Sequence, residues 1–242
     1  MCGRYVSPGQ AAIEREWHVG RHNNNPFERR FNVQPSTEVP ILRLHPGLRE
    51  LELAAARWGL IPNWWKESKP PKFAFNARLE EAASKPMWRH PLRHARCLIP
   101  AEGWYEWQAL ERPDPATGEV RTFKQPHFIC RRDARLVCFA GLMSNWSPPD
   151  AAERRLTCAI LTTAAAGPVA EVNDRMPVVL DGWAHDEWLD PAFDDAERIV
   201  QLVRRHVQPG ELVHYPVRTL VNGSRAEGQE LIEPLASAHS DP

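Results

Sequence analysis

The sequence predicts an α+β fold, with an antiparallel, curled sheet and helices outside it. Three observations lead there. Strand-like segments cluster mid-chain without the regular intervening helices of a parallel βαβ sheet. Pro, at 23 residues, outnumbers Gly at 13, which breaks long helices and favours short elements joined by fixed turns. No Gly- or Ser-rich linker and no internal repeat divides the 242 residues. A single domain is therefore expected over 1–234, with a frayed tail over 235–242.

In chain order, residues 9 to 19 suit a short helix, because Ile13 and Trp17 fall four apart. His22 to Pro26 is polar and Asn-rich, a loop. Val39 to Leu44 and Leu51 to Leu60 read as strands. Arg78 to Met87 reads as a helix, with Glu80 and Glu81 near its N-terminal turn. Arg96 to Ile99 and Gly103 to Trp107 are strand pieces. Glu111 to Glu119 holds Pro113, Pro115 and Gly118 and reads as a turn or hairpin tip. Thr122 to Arg131, Arg135 to Leu142 and Arg155 to Thr163 follow as strands, with Met176 to Leu180 a short fourth. Ala192 to His206 carries Ile199, Leu202 and Val203 on one helical face. Leu212 to Val217 reads as a last strand.

Hydrophobic residues make up 43% of the chain and charged residues 25%, enough for a core with an ordinary surface. The net charge of −1 excludes a global basic field, so any nucleic-acid surface must be local. Cys2, Cys97, Cys130, Cys138 and Cys158 stand apart, an odd count without a CxxC pair. That argues against a disulfide framework and against a zinc site. Cys130, Cys138 and Cys158 lie in strand-like runs and read as buried structural thiols. No apolar run approaches the ~20 residues of a membrane span. The start lacks a basic segment followed by an apolar one, so no signal peptide is expected. The expectation is a cytoplasmic monomer without membrane partner, metal or cofactor.

Cys2 has a chemical option closed to an internal cysteine. Aminopeptidases commonly remove Met1 when the next residue is small. Cys2 then carries a thiol and a free α-amine on adjacent carbons. Ordinary pKa values of about 8.5 and about 7.7–8.0 leave both partly available near neutrality. An aldehyde forms a Schiff base with the amine, and the thiol closes a thiazolidine ring. An accidental cysteine at a frayed terminus is the plainer alternative.

Other segments could surround such a nucleophile. Gly3 and Arg4 adjoin it, one permissive and one able to meet a phosphate. Trp64 and Trp65 follow a Gly–Leu–Ile–Pro turn and either pack or form a stacking platform for bases. Asn76 supplies an amide two residues before Arg78, a phosphate candidate; helix capping is the alternative for Asn76. Glu106 sits among aromatics, where a carboxylate's charged form is disfavoured and suited to proton transfer; a solvent-facing Glu is the alternative, and Glu102 competes. Thr162 and Thr163 end a strand and could offer hydroxyls to phosphate. Asn173 opens the polar turn Asn173-Asp174-Arg175, where Asp174 and Arg175 can form a local ion pair.

Together these segments resemble the SOS response-associated peptidase (SRAP) family of abasic-site-processing proteins, over nearly the whole chain. The resemblance rests on Met1 to Tyr5 (MCGRY), Phe31 to Pro35 (FNVQP), Trp58 to Pro62 (WGLIP) and Asn76 to Arg78 (NAR). It continues through Arg96 to Trp107 (RCLIPAEGWYEW), Lys124 to Pro126 (KQP), Phe139 to Leu142 (FAGL), Thr162 with Thr163, and Asp174 to Pro177 (DRMP). It implies a curled, barrel-like antiparallel sheet. It implies that Cys2, with Met1 removed, links covalently to the ring-opened sugar of an abasic site in single-stranded DNA, shielding the lesion during the DNA damage response. Asn76 matches the amide at the linkage and Glu106 the proton-transfer carboxylate. Arg4 and Arg78 match phosphate ligands, Thr162 a further one. Trp64 and Trp65 fall where the family packs aromatics on bases. The protein would be cytoplasmic, and nucleoid-associated when bound to DNA.

Asn173 departs from the pattern. The family places there a histidine that helps open the abasic sugar, and asparagine does not titrate near neutral pH. Slower crosslinking or altered reversal is the expectation. Two other readings stay open: a cysteine peptidase, including one trimming its own Met1, and a non-covalent single-strand binder using Arg4, Arg78 and the tryptophans.

Overall fold

The structure, a computed structural model, describes residues 2–19, 26–72, 74–114, 117–149, 153–207 and 209–235. The expected loop from His22 to Pro26 falls mostly outside them, as does the tail after Leu235. Strand β1 (Tyr5–Ser7) is followed by helix α1 (Gln10–Trp17), β2 (Arg30–Val33), β3 (Glu38–Leu44) and β4 (Leu51–Trp58). Then come β5 (Asn76–Arg78), α2 (Leu79–Ala82), α3 (Pro86–His94), β6 (Arg96–Ala101), β7 (Gly103–Pro113), β8 (Val120–Arg131), β9 (Val137–Trp146) and β10 (Arg155–Ala164). The chain ends through β11 (Arg175–Pro177), α4 (His185–Leu189), α5 (Ala196–His206) and β12 (Leu212–Pro216).

Two sheets result, in an α+β arrangement. One has the order β12-β8-β7-β1-β2, antiparallel throughout. The other has the order β11-β10-β4-β3-β6-β9, and β9 also pairs β10, so five of its strands close into a barrel. The pairings of β10 with β4 and with β5 are parallel. The expected all-antiparallel sheet is therefore mixed at β10, a strand that meets segments about 80–100 residues earlier in the chain rather than a hairpin neighbour.

Alternation along the barrel strands sorts the core. Leu42, Leu53, Leu98, Ala140, Leu142 and Leu161 pack with residues of the helices, such as Trp88, Leu92, Ile199 and Leu202. Residues of the other parity, including Ile41, Trp58, Ile99, Phe139 and Ile160, form a second cluster with Cys2, Tyr5 and Trp104. Alternate residues of a barrel strand face in and out, so this second set fills the interior. Tyr5 meets Trp58 edge-on at 5.3 Å and Phe139 at 5.9 Å, the geometry aromatic quadrupoles prefer.

The passage from β6 to β7 carries the chain from one sheet to the other through Glu102. At Gly103 a Cβ atom would stand 2.4 Å from the Ile129 carbonyl oxygen and 2.5 Å from the Phe128 ring. Only glycine admits that approach.

The helix expected over Arg78 to Met87 is broken at Ala83–Lys85. Pro86 takes the first turn of α3, where its missing N–H is harmless. The C-terminal helix starts four residues later than expected, because Asp195 caps it by accepting from the Arg198 N–H. Cys97, Cys138 and Cys158 are buried and Cys130 is half-buried. Among the described residues no helix is long and apolar enough to cross a membrane.

Candidate active site

Cys2 enters the site because β1 lies inside its sheet, between β7 and β2. Its side chain is fully buried. β5 runs parallel to β10, with Asn76 opposite Ile160, and this pairing directs Asn76 at the start of the chain. Asn76 Nδ2 donates to the Cys2 carbonyl oxygen at 2.8 Å. The capping alternative for Asn76 does not hold, since Arg78 occupies the N-cap of α2. Asn76 Oδ1 is buried without a hydrogen-bond partner among the described residues, an acceptor that costs free energy while unmet.

Glu106 stands on β7 and is 2% exposed, which excludes the solvent-facing alternative. Burial raises its pKa to about 7, opposed by a hydrogen bond in which Asn173 Nδ2 donates to Glu106 Oε2 at 2.6 Å. Burial also pushes the Cys2 thiol well above its usual range, and the nearby Glu106 carboxylate adds to that. Asn173 is fixed in turn, its Oδ1 accepting from the Arg175 N–H at 3.3 Å. Glu102, the competing carboxylate, points elsewhere: Arg29 holds both its oxygens, at 2.7 and 2.6 Å.

A cleft of about 740 Å³ opens beside Cys2, and Asn76, Arg78, Trp64 and Lys72 are among its lining residues. Trp64 is 51% exposed. Trp65 is half-buried, donates its indole N–H to the Lys69 carbonyl and accepts from the Trp146 indole on its own carbonyl. Of the two tryptophans, Trp64 is the free stacking face and Trp65 a packed wedge. Arg78 is largely exposed and only loosely paired with Glu81, at 3.9 Å.

Two expected phosphate contacts are placed differently. Thr162 is fully buried. It has the parity of the barrel interior, and its hydroxyl donates to the Ala77 carbonyl at 3.3 Å. It cannot reach a phosphate, and that expectation is corrected. Arg4 is half-buried, and its guanidinium donates to Asn32 Oδ1 at 2.9 Å and to the Val221 and Asn222 carbonyls. Its acceptors are all neutral, so it keeps its charge while bracing the C-terminal turns. The ion pair expected for Arg175 is formed with Glu80, at 2.8 and 2.9 Å, rather than with Asp174.

The sequence reading left His127 and His214 unplaced. They meet on the same sheet face: His127 lies directly opposite Glu106 across β7 and β8, and its Nδ1 is 3.1 Å from Nδ1 of His214. Nothing local signals this pair, because 87 residues separate them. Among the described residues no group of three His, Cys, Asp or Glu is arranged to hold a metal ion.

A model of the SOS response associated peptidase family matches residues 1–224. The abasic site processing protein YoqW of Bacillus subtilis is 36% identical over 236 residues, covering 96% of this chain and 99% of its own. The abasic site processing protein YedK of Escherichia coli is 32% identical over 207 residues, covering 85% of each chain. A crystal structure of a protein from Bacteroides thetaiotaomicron has the same fold, with a TM-score of 0.76, 20% identity, and coverage of 98% of this chain and 100% of that one. Motifs, architecture and relatives coincide over most of the length, and the chain belongs to the SOS response associated peptidase (SRAP) family.

Proposed function

We propose that the protein recognises abasic sites in single-stranded DNA and crosslinks itself to them through Cys2, as a thiazolidine. One observation carries this reading. Asn76 belongs both to the wall of the Trp64–Arg78 cleft and to the hydrogen bond that holds Cys2. A strand lying in the cleft thereby comes within reach of the nucleophile. The names of the relatives, abasic site processing proteins, support the same substrate.

The chemistry follows from the groups present. With residue 1 removed, the Cys2 amine adds to the sugar aldehyde carbon to give a carbinolamine. Protonated Glu106 gives its proton to the carbinolamine hydroxyl, which leaves as water, and an iminium forms. The Glu106 carboxylate then takes the thiol proton as sulfur bonds the same carbon. The ring closes with a neutral nitrogen, and Glu106 is again protonated. A carboxyl with a pKa about 7 serves both steps near neutrality. Arg78 meets the DNA phosphates and Trp64 stacks on a base.

The test is incubation of the full chain with a single-stranded oligonucleotide carrying one abasic site, followed by a denaturing gel. A shifted band that disappears in Cys2→Ser is the expected result. Binding without a covalent band sinks the proposal and leaves a non-covalent binder. The peptidase reading has less support: the Cys2 thiol is held neutral by burial, where a cysteine peptidase needs it ionised.

A further inference from the structure

Glu106 has to exchange protons although it is buried and its partner Asn173 is an amide, which cannot deliver one. The opposite strand holds the alternative. His127 pairs directly with Glu106 in the β7–β8 register, so the two side chains leave the same face with Cβ atoms about 4.5–5.5 Å apart. His127 is 6% exposed, and its Nε2 has no hydrogen-bond partner among the described residues. Its Nδ1 faces His214 Nδ1 at 3.1 Å. His214 Nε2 in turn lies 3.4 Å from Glu171 Oε2, whose side chain is 71% exposed. Gln108, two residues along β7 from Glu106, donates to the Glu171 carbonyl at 2.8 Å and fixes that turn against the sheet.

We infer that Glu171, His214 and His127 form a proton inlet from the surface to Glu106. The tautomers follow from the surroundings. His214 beside the Glu171 carboxylate takes the charged form, with both ring nitrogens protonated. Its Nδ1–H then donates to His127 Nδ1. Buried His127 stays neutral, its pKa lowered to about 4 by burial and by His214, and so carries its proton on Nε2. Strand β8 lies between β12 and β7. The two nitrogens of an imidazole point in divergent directions, so a ring that turns Nδ1 to His214 on β12 turns Nε2 toward the β7 side.

The step balances. The His127 Nε2–H bond breaks as the proton passes to the Glu106 carboxylate, directly or through one water. The His214 Nδ1–H bond breaks as its proton moves to His127 Nδ1. His214 is left neutral and regains a proton at the Glu171 end, while His127 changes tautomer and later resets. The charged and titratable groups around the pair are Glu106 on β7, Glu171 in the turn covering β12, Asp174 beside Asn173, and the Cys2 thiol.

The inference rests on Glu106 being the acid and base of the proposed reaction, and its test separates the two. His127 and His214 do not touch the substrate; they act through Glu106. In single-turnover crosslinking, His127→Gln and His214→Gln are each expected to be about tenfold slower at neutral pH, a part of the 10²–10⁴ of direct acid–base catalysis. Their pH profiles flatten, and added imidazole restores His214→Gln. Wild-type rates in both variants, or slowing that neither pH nor imidazole changes, overturn the inlet. ¹⁵N NMR of the full wild-type chain reads the tautomers without DNA. His127 protonated at Nε2 is expected, and His127 protonated at Nδ1 overturns the inlet. Absence of any covalent band with wild-type protein, by contrast, removes the proposed function, while the tautomers still decide the inlet.

Discussion

Asn173 Nδ2 donates to Glu106 Oε2 across 2.6 Å, so the carboxyl nearest Cys2 is held by a group that orients it and cannot titrate. Orientation and proton supply, which one histidine can combine, are separated here. Asn173 performs the first, and the second must come from Glu106 itself and its neighbours.

Replacing Asn173 by His recombines them. The ring keeps a donor for Glu106 and adds a base that titrates near pH 6.5. Asn173→His should crosslink abasic DNA faster, by about tenfold or more within the 10²–10⁴ range of such groups. Equal single-turnover rates for the two proteins would rule this account out.

Glu106 also marks the stability profile. Its folded pKa of about 7 lies above the ordinary value of 4.5, so the native state binds the proton more tightly than the unfolded chain. Its contribution is intact below about pH 4.5 and is lost as pH rises through 7. Each unit is about 1.4 kcal/mol, so the full cost is on the order of 3 kcal/mol. Glu106→Gln keeps an acceptor for Asn173 and removes the titration. It should match wild type in denaturant unfolding near pH 4.5 and exceed it by a few kcal/mol at pH 8. The same variant should lose most crosslinking. A stability difference independent of pH would contradict burial as the cause.

Trp64 is predicted to act on DNA alone. It is half exposed and its indole packs only loosely on Trp65, at 6.1 Å between centroids. Trp64→Ala should weaken binding of undamaged single strands by about 1–3 kcal/mol. The melting temperature should stay within a degree or two, in line with the small effect of exposed substitutions. An unchanged titration by fluorescence anisotropy would remove Trp64 from the interface.

Arg96 is predicted to be structural. It is 5% exposed, and its guanidinium donates to the carbonyls of Leu92, Arg93, Trp188, Asp190 and Phe193. These bonds join α3 to α4 and the segment before α5. Lysine has three donors on one point and cannot reach all five. Arg96→Lys should cost about 2–4 kcal/mol of unfolding free energy, from charged hydrogen bonds at about 1.5–3 kcal/mol each with partial replacement. A loss under 1 kcal/mol would show that water takes over the carbonyls.

Much of this architecture is legible in the residues. Alternating hydrophobicity outlines β3, β4 and β6 to β10, and the spacing of Ile199, Leu202 and Val203 gives α5. What escapes depends on distant contacts. β1 and β2, with three and four residues, are too short for a periodic signal and exist as strands because they pair. The burial of Thr162 follows from barrel parity, invisible before closure. The same holds for Arg4, whose acceptors at Val221 and Asn222 come from the far end of the chain. The motif residues Cys2, Asn76, Glu106 and Asn173 are readable as candidates. Their convergence needs the parallel pairing of β5 with β10, which no local pattern announces.

The grip of Arg4 on Val221 spans 217 residues. During synthesis at about 5–20 residues per second, roughly 10–40 s pass between the appearance of one partner and the other. The first strand therefore stays unbraced until the protein is almost complete. Cys2 ends fully buried, yet it begins life at an open terminus, accessible for that whole interval to the enzymes that trim nascent chains. Late closure of the fold thus sets a time window for removal of residue 1, and a faster ribosome or an early-stabilised N-terminus would leave more of the protein unable to form its ring.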